Sequence, residues 1–329
     1  MNAMEYVRLG FSNLTISRLG LGAMGFGDKA WREWVLDEAA SRSIVRGALD
    51  HGINFFDTCD FYSAGRSEEV LKATLLNDVP RHSVVIATKV GNPMHSHPNG
   101  RGYSRKHIIE AAEASLRRLG TDYIDLYQTH IWDPHTNLEE LAEAFDSLVR
   151  AGKVLYLGAT TMPAWTFCRL DNVSRQGRYA RFVSMQCEYN PAHREAEREM
   201  IPFCRAEDIG LVPFSPVARG FLAADRRLAQ HASDRTRTDD YTRKHYGREA
   251  DYEVYEAIAK VAENCGASPA QVSLAWTAQR PGVTAPIFGA TEVRHVDEAV
   301  QAIGLSLNEA AVASIAAAYS PRPRDALGH

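Results

Sequence analysis

Val84-Val85-Ile86-Ala87-Thr88-Lys89-Val90, then Lys106–Leu119, then Tyr123-Ile124-Asp125-Leu126-Tyr127-Gln128-Thr129-His130, then Leu138–Ala151, then Val154-Leu155-Tyr156-Leu157-Gly158-Ala159-Thr160: along this stretch the hydrophobic pattern alternates between two periods. The short runs are almost continuously apolar and β-branched, as strands buried on both faces must be. The longer segments repeat their apolar residues at helical spacing. The alternation continues outward in both directions. Further strand-like runs are Gly20–Met24, Ile53–Thr58, Phe182–Tyr189, Leu211–Ser215 and Ala285–Gly289, and further helical patterns include Ser41–Asp50, Ser67–Leu76, Ile201–Glu207 and Ser268–Gln279. Ser104 and Asn137 stand where N-caps belong, Pro269 follows Ser268 in a first turn, and Gly120 and Gly152 mark helix ends.

Eight such units in 329 residues predict a (β/α)8 TIM barrel in one domain spanning 1–329. The rival, an open doubly wound sheet, normally carries a phosphate loop after its first strand. Here that strand runs into Gly22-Ala23-Met24-Gly25-Phe26-Gly27, which is not G-x-G-x-x-G and opens no helix. Tyr6–Leu9 and Leu14–Ser17, joined by Gly10-Phe11-Ser12-Asn13, predict an N-terminal hairpin over one barrel mouth. Leu307–Ala318 predicts an extra C-terminal helix, Ala224–Gly247 a long polar loop, and the tail from Pro321 a mobile end.

Composition restricts the function. A net charge of −4 argues against nucleic acid or an anionic membrane as the main partner. No apolar run approaches the ~20 residues of a membrane span, and the first residues lack a secretory signal's layout. The five cysteines (Cys59, Cys168, Cys187, Cys204, Cys265) form no C-x-x-C pair, which suits reduced thiols in the cytoplasm. His95-Ser96-His97 lies on a Pro-containing loop without nearby Cys or carboxylate ligands, so no metal site is expected.

In such a barrel, chemistry gathers at the C-terminal ends of strands. The second run ends in Asp57 with Tyr62 five residues on; the third ends near Lys89 and the fourth at His130. Four ionisable groups on three adjacent strands would meet at one mouth. A free phenol, with its pKa of ~10, gives up a proton poorly at neutral pH. An ammonium beside it would lower that value, and Asp57 can hold Lys89 charged and in place. His130 can hydrogen-bond a substrate oxygen. The set suits protonation of a carbonyl oxygen while hydride reaches the carbon.

Phe56-Asp57-Thr58-x-x-x-Tyr62, Thr88-Lys89 and Asp125-Leu126-Tyr127-x-x-His130 together resemble the aldo-keto reductase superfamily from about Leu19 to Leu305. The layout is most similar to its bacterial general-oxidoreductase branch, related to potassium-channel β-subunits. The resemblance implies a barrel, NADPH (with NADH possible) bound without a Rossmann domain, and a catalytic tetrad of Asp57, Tyr62, Lys89 and His130. It further implies that Thr160, Thr161 and Gln186 grip the nicotinamide carboxamide and that Phe214 stacks on its ring. Ser215, Val217, Arg219 and Gly220 would wrap the pyrophosphate, with Gly25, Gly289, Thr291, His295 and Glu298 completing the nucleotide site. Glu292 and Asp225 stand where relatives carry basic or hydroxyl residues, so a modest preference for NADPH is expected, with Arg294, His295 and Arg219 left to take the 2′-phosphate. Phe26, Trp31, Ile131 and Trp132 are expected to line an apolar pocket for a small-molecule carbonyl substrate. Two other readings compete: a regulatory barrel that binds nicotinamide nucleotide and turns over slowly, and an aldolase using Lys89 as a Schiff base. The intact tetrad opposes the first; Gln186, Phe214 and the Arg219-Gly220 turn oppose the second.

Overall fold

The computed structural model of the chain describes residues 4–224, 235 and 238–322. Eight parallel strands form one sheet in the order β10 (Ile287–Gly289), β3 (Gly20–Gly22), β4 (Phe55–Asp57), β5 (Val85–Val90), β6 (Ile124–Thr129), β7 (Val154–Thr160), β8 (Phe182–Gln186) and β9 (Gly210–Leu211). The two ends of that order meet. Thr284 N donates to Leu211 O at 2.8 Å and Ile287 N to Pro213 O at 2.8 Å, closing the (β/α)8 barrel. The ladder of β9 stops short of the expected Leu211–Ser215 because Pro213 has no N–H to donate and Ser215 turns to φ 55°.

Caps fix the helices that surround the barrel. In α1 (Glu38–Asp50), Asp37 accepts from Ala40 N at 2.9 Å and starts the helix earlier than the apolar pattern alone indicates. Helix α2 (Arg66–Leu71) runs on through a π-helical turn, Lys72–Leu76. Ser104 caps α3 (Arg105–Leu119), which ends at left-handed Gly120, and Asn137 caps α4 (Leu138–Arg150). Then follow α5 (Ala164–Gly177), α6 (Met200–Ala206), α7 (Asp240–His245) and α8 (Glu249–Cys265). Ser268 and Gln271 make a capping box on α9 (Pro269–Ala278), and α10 (Val293–Gly304) completes the alternation. The extra helix is α11 (Glu309–Ala317), capped by Asn308. The segment expected to be a polar loop therefore carries α7, whose last turn, Arg243-Lys244-His245, complements the helix dipole.

The hairpin, β1 (Tyr6–Arg8) with β2 (Thr15–Ser17), sits under the N-terminal mouth. Its Leu9 and Ile16 are fully buried against Phe55, Val85, Leu126 and Val183 inside the barrel, so it plugs the end opposite the strand C-termini. A second, larger core fills the space between strands and helices. The start of the tail is fixed rather than mobile. Arg322 is buried, donating to Asp251 Oδ1 at 2.8 Å and Ala192 O at 3.0 Å, because its guanidinium finds fixed acceptors there; residues 323–329 lie outside the described residues. No single helix among the described residues is long and apolar enough to cross a membrane.

Candidate active site

Parallel pairing brings Gly22 level with Asp57, Lys89 with Gln128 and Thr160 with Gln186, at the C-terminal ends of their strands. Above them opens a cavity of ≈1800 Å³. Asp57, Tyr62 and His130 line it, with Lys89 fully buried behind Asp57.

Lys89 Nζ donates to Asp57 Oδ2 at 2.5 Å and to Thr58 O at 2.8 Å. Asp57 Oδ1 accepts from Gln186 Nε2 at 2.8 Å and Gln128 Nε2 at 3.1 Å, so the buried ion pair is nearly saturated with donors. Burial by itself would lower the Lys89 ammonium, but the charge of Asp57, with Tyr62 and Cys59, outweighs it and raises its pKa. The Tyr62 ring lies over this ammonium, its centroid 5.3 Å from Nζ, and meets the His130 ring edge-on at 5.6 Å.

The sequence predicts a phenol made more acidic by Lys89. The structure gives the opposite net result: burial pushes Tyr62 up to about 12, with Lys89 only partly offsetting it. Burial outweighs the pull of Lys89, and the nearby Cys59 and Asp57 add to the rise. Tyr62 thus keeps its proton at neutral pH. His130 goes the other way. Burial first, and the Lys89 charge second, lower its pKa well below the ordinary histidine value, leaving a neutral imidazole.

The nucleotide residues expected from sequence all line the cavity: Gly25, Thr160, Thr161, Gln186, Phe214, Ser215, Val217, Arg219, Gly220, Gly289, Thr291, His295 and Glu298. Thr160 Oγ1 is buried without a hydrogen-bond partner among the described residues. Six of the eight non-glycine residues with positive φ among the described residues stand here: Ser63 and Ala64 beside Tyr62, then Thr161, Ser215, Ala218 and Arg219. Such backbone is unfavourable for L-residues and collects at functional sites.

Positive charge is concentrated on one side. Arg219 and Arg235 donate to Asp239 at 2.7 and 3.3 Å, and Arg32 lies 4.0 Å from the same carboxylate. Three guanidiniums thus gather around one buried carboxylate at the cavity. Arg294 instead pairs with exposed Glu292 at 2.8 Å, and Thr291 N donates to His295 Nδ1 at 3.3 Å, so these two bases are already engaged. Asp225 lies outside the described residues.

Two pocket expectations need correction. Phe26 is fully buried in the core, because Gly25 and Gly27 pair with Leu36 and turn the segment inward. Trp132 packs part-buried against the core and is not among the cavity's lining residues. Trp31 and Ile131 do line it, joined by Phe61 and exposed Trp165. Sequence reasoning missed Cys59, Asn92, Gln128, Arg32, Arg235 and Asp239. Arg235 and Asp239 fell in the segment read as a loop, where five Arg and Asp residues in close succession (Asp234, Arg235, Arg237, Asp239 and Asp240) were the available signal. Among the described residues no group of three or more His, Cys, Asp or Glu is placed to hold a metal ion; His95 and His97 stack on each other at 5.5 Å.

A barrel with this mouth is matched by the family model "Aldo/keto reductase family" over residues 18–320, and the chain belongs to that family of oxidoreductases. Among its relatives, a versiconal hemiacetal acetate reductase from Aspergillus parasiticus is 38% identical, over 97% of this chain and 98% of the relative. A putative aryl-alcohol dehydrogenase from Schizosaccharomyces pombe is 37% identical, over 97% and 96%. Another putative aryl-alcohol dehydrogenase, from Saccharomyces cerevisiae, is 36% identical, over 98% and 99%.

Proposed function

We propose that the chain, acting as one catalytic unit in the cytoplasm, reversibly reduces an aldehyde or ketone to an alcohol, with NADPH as its nucleotide and NADH also accepted. The observation that carries this reading is the buried Lys89–Asp57 pair with a protonated Tyr62 on its ammonium and a neutral His130 beside it, all at one open mouth.

The residues present fit a nicotinamide nucleotide. Orphaned Thr160 Oγ1 would take the carboxamide together with Thr161 and Gln186, and half-buried Phe214 offers a ring for stacking. Gly25 has no atom closer than 3.7 Å to the place a side chain would occupy, which leaves room for close approach of the dinucleotide. The guanidiniums of Arg219, Arg235 and Arg32 would hold phosphate charge. With Arg294 tied to Glu292, discrimination between NADPH and NADH falls to these arginines and stays modest.

Bound nucleotide supplies the hydride. Every other task falls to the chain. His130 donates a hydrogen bond to the carbonyl oxygen and orients it. Tyr62 Oη gives its proton to that oxygen as it acquires alkoxide charge, and the nearby Lys89 ammonium stabilises the phenolate left behind. Asp57 keeps Lys89 charged and fixed. Trp31, Phe61, Ile131 and Trp165 give the substrate an apolar, largely aromatic wall.

The test is a panel of aliphatic and aromatic aldehydes and ketones, assayed with both nucleotides for nucleotide oxidation and alcohol formation. Multiple turnovers with stoichiometric alcohol are expected. Tight nucleotide binding with no more than a single turnover on any carbonyl would instead indicate a nucleotide sensor.

A further inference from the structure

Resting on that reading, His130 must offer an N–H rather than a lone pair to the carbonyl oxygen. A neutral imidazole has one nitrogen of each kind, and the partner of one decides the other. Nδ1 of His130 lies 2.6 Å from Asn92 Nδ2 and 2.9 Å from Cys59 Sγ. An amide nitrogen only donates. Burial, with Asp60's charge next, raises the Cys59 thiol well above its ordinary value, so it also carries hydrogen. That thiol has a second acceptor, Asp60 Oδ1 at 3.2 Å, whereas the Asn92 amide is committed to the imidazole.

The ring is held for this contact from behind. His130 N donates to Val90 O at 2.9 Å and lies 3.0 Å from Tyr103 Oη, which also accepts from Ile131 N at 3.1 Å and donates to Ile131 O. Gly91, at φ 132°, lets Tyr103 approach; a Cβ there would collide with its hydroxyl. The loop between Val90 and Asn92 is thereby clamped, and the amide reaches Nδ1 from a fixed backbone.

We propose that Asn92, seconded by Cys59, is a positioning residue that places the imidazole hydrogen of His130 on Nε2, so that the nitrogen left to the cavity is a donor to the substrate oxygen. Asn92 does not touch the reacting atoms; it acts through His130.

The test reads the tautomer directly. Full-length protein labelled with 15N-histidine, free of nucleotide and substrate, is examined by long-range 1H–15N correlation, with His130 assigned by its loss in His130→Gln. Wild type should show the hydrogen on Nε2 and a bare Nδ1, and Cys59→Ala should keep that pattern. Asn92→Asp replaces the donor with a carboxylate acceptor and should bring hydrogen onto Nδ1. Asn92→Leu should mix the tautomers and lower kcat about tenfold, the loss of roughly one hydrogen bond, with nucleotide affinity unchanged. Hydrogen on Nδ1 in wild type, or an Asn92→Asp spectrum identical to wild type, overturns the proposal. Because the tautomer is read on resting protein, it is decided even if no carbonyl compound is turned over.

Discussion

At the residue scale, the site works by opposing burial to charge. Lys89→Met deletes the ammonium and leaves the Asp57 carboxylate buried with only two amide donors. Carbonyl reduction should fall by ~10²-fold or more, and removal of one partner of the buried pair should lower stability by about 3–5 kcal/mol in urea unfolding. A variant with half the wild-type rate would remove Lys89 from the chemistry. Behind the tetrad, burial and then the charge of Glu68 raise fully buried Asp60 from 3.8 to about 7, and its Oδ2 has no partner among the described residues. A raised carboxyl favours folding while protonated, and that contribution is lost as pH rises from about 4 through about 7. Asp60→Asn, neutral at every pH, should therefore be more stable than wild type by a few kcal/mol at pH 8, with the advantage shrinking towards pH 4. An advantage that does not change with pH contradicts the account. The meeting of Asp57, Tyr62, Lys89 and His130 at one mouth was legible in sequence because each stands at or shortly after the end of one of three adjacent strands. Cys59, Asn92 and Gln128 were not, because their contacts in the site are hydrogen bonds to residues 38 or more positions away along the chain, which no local pattern records.

At the element scale, caps and turns carried the prediction well. Ser104, Asn137, Ser268 and Gly120 act where the sequence places them. The hairpin was equally legible, but its depth was not. Gly10, at φ 57°, lies so close beneath the barrel that a Cβ would come within 2.5 Å of Val183 O and 2.6 Å of Gly210 N. Gly10→Ala combines left-handed strain with a backbone clash and should destabilise by at least about 2 kcal/mol. Nucleotide affinity should be unchanged, since the plug lies at the other end of the barrel. Unaltered stability would show that the hairpin is not seated as described. What sequence could not show were the strand ends near Pro213 and the helix α7. The first depends on a missing donor and the second on a short basic turn within a polar run.

At the scale of the whole molecule, the closed ring followed from the alternation of buried strands and helices, because eight parallel strands cover their edges by meeting. The charge distribution did not. The chain is net acidic at −4, yet Arg32, Arg219 and Arg235 gather around a single carboxylate at the cavity, the cluster proposed above to hold phosphate charge. That cluster concerns binding; the central claim concerns chemistry, and Tyr62→Phe isolates it. This variant removes one hydroxyl and keeps the ring over Lys89. Assayed with NADPH on the best substrate of the panel, alongside fluorescence titration of the nucleotide, it should lose ~10²–10⁴-fold in turnover while binding NADPH as wild type does. Retention of more than half the wild-type turnover would mean that Tyr62 is not the proton donor.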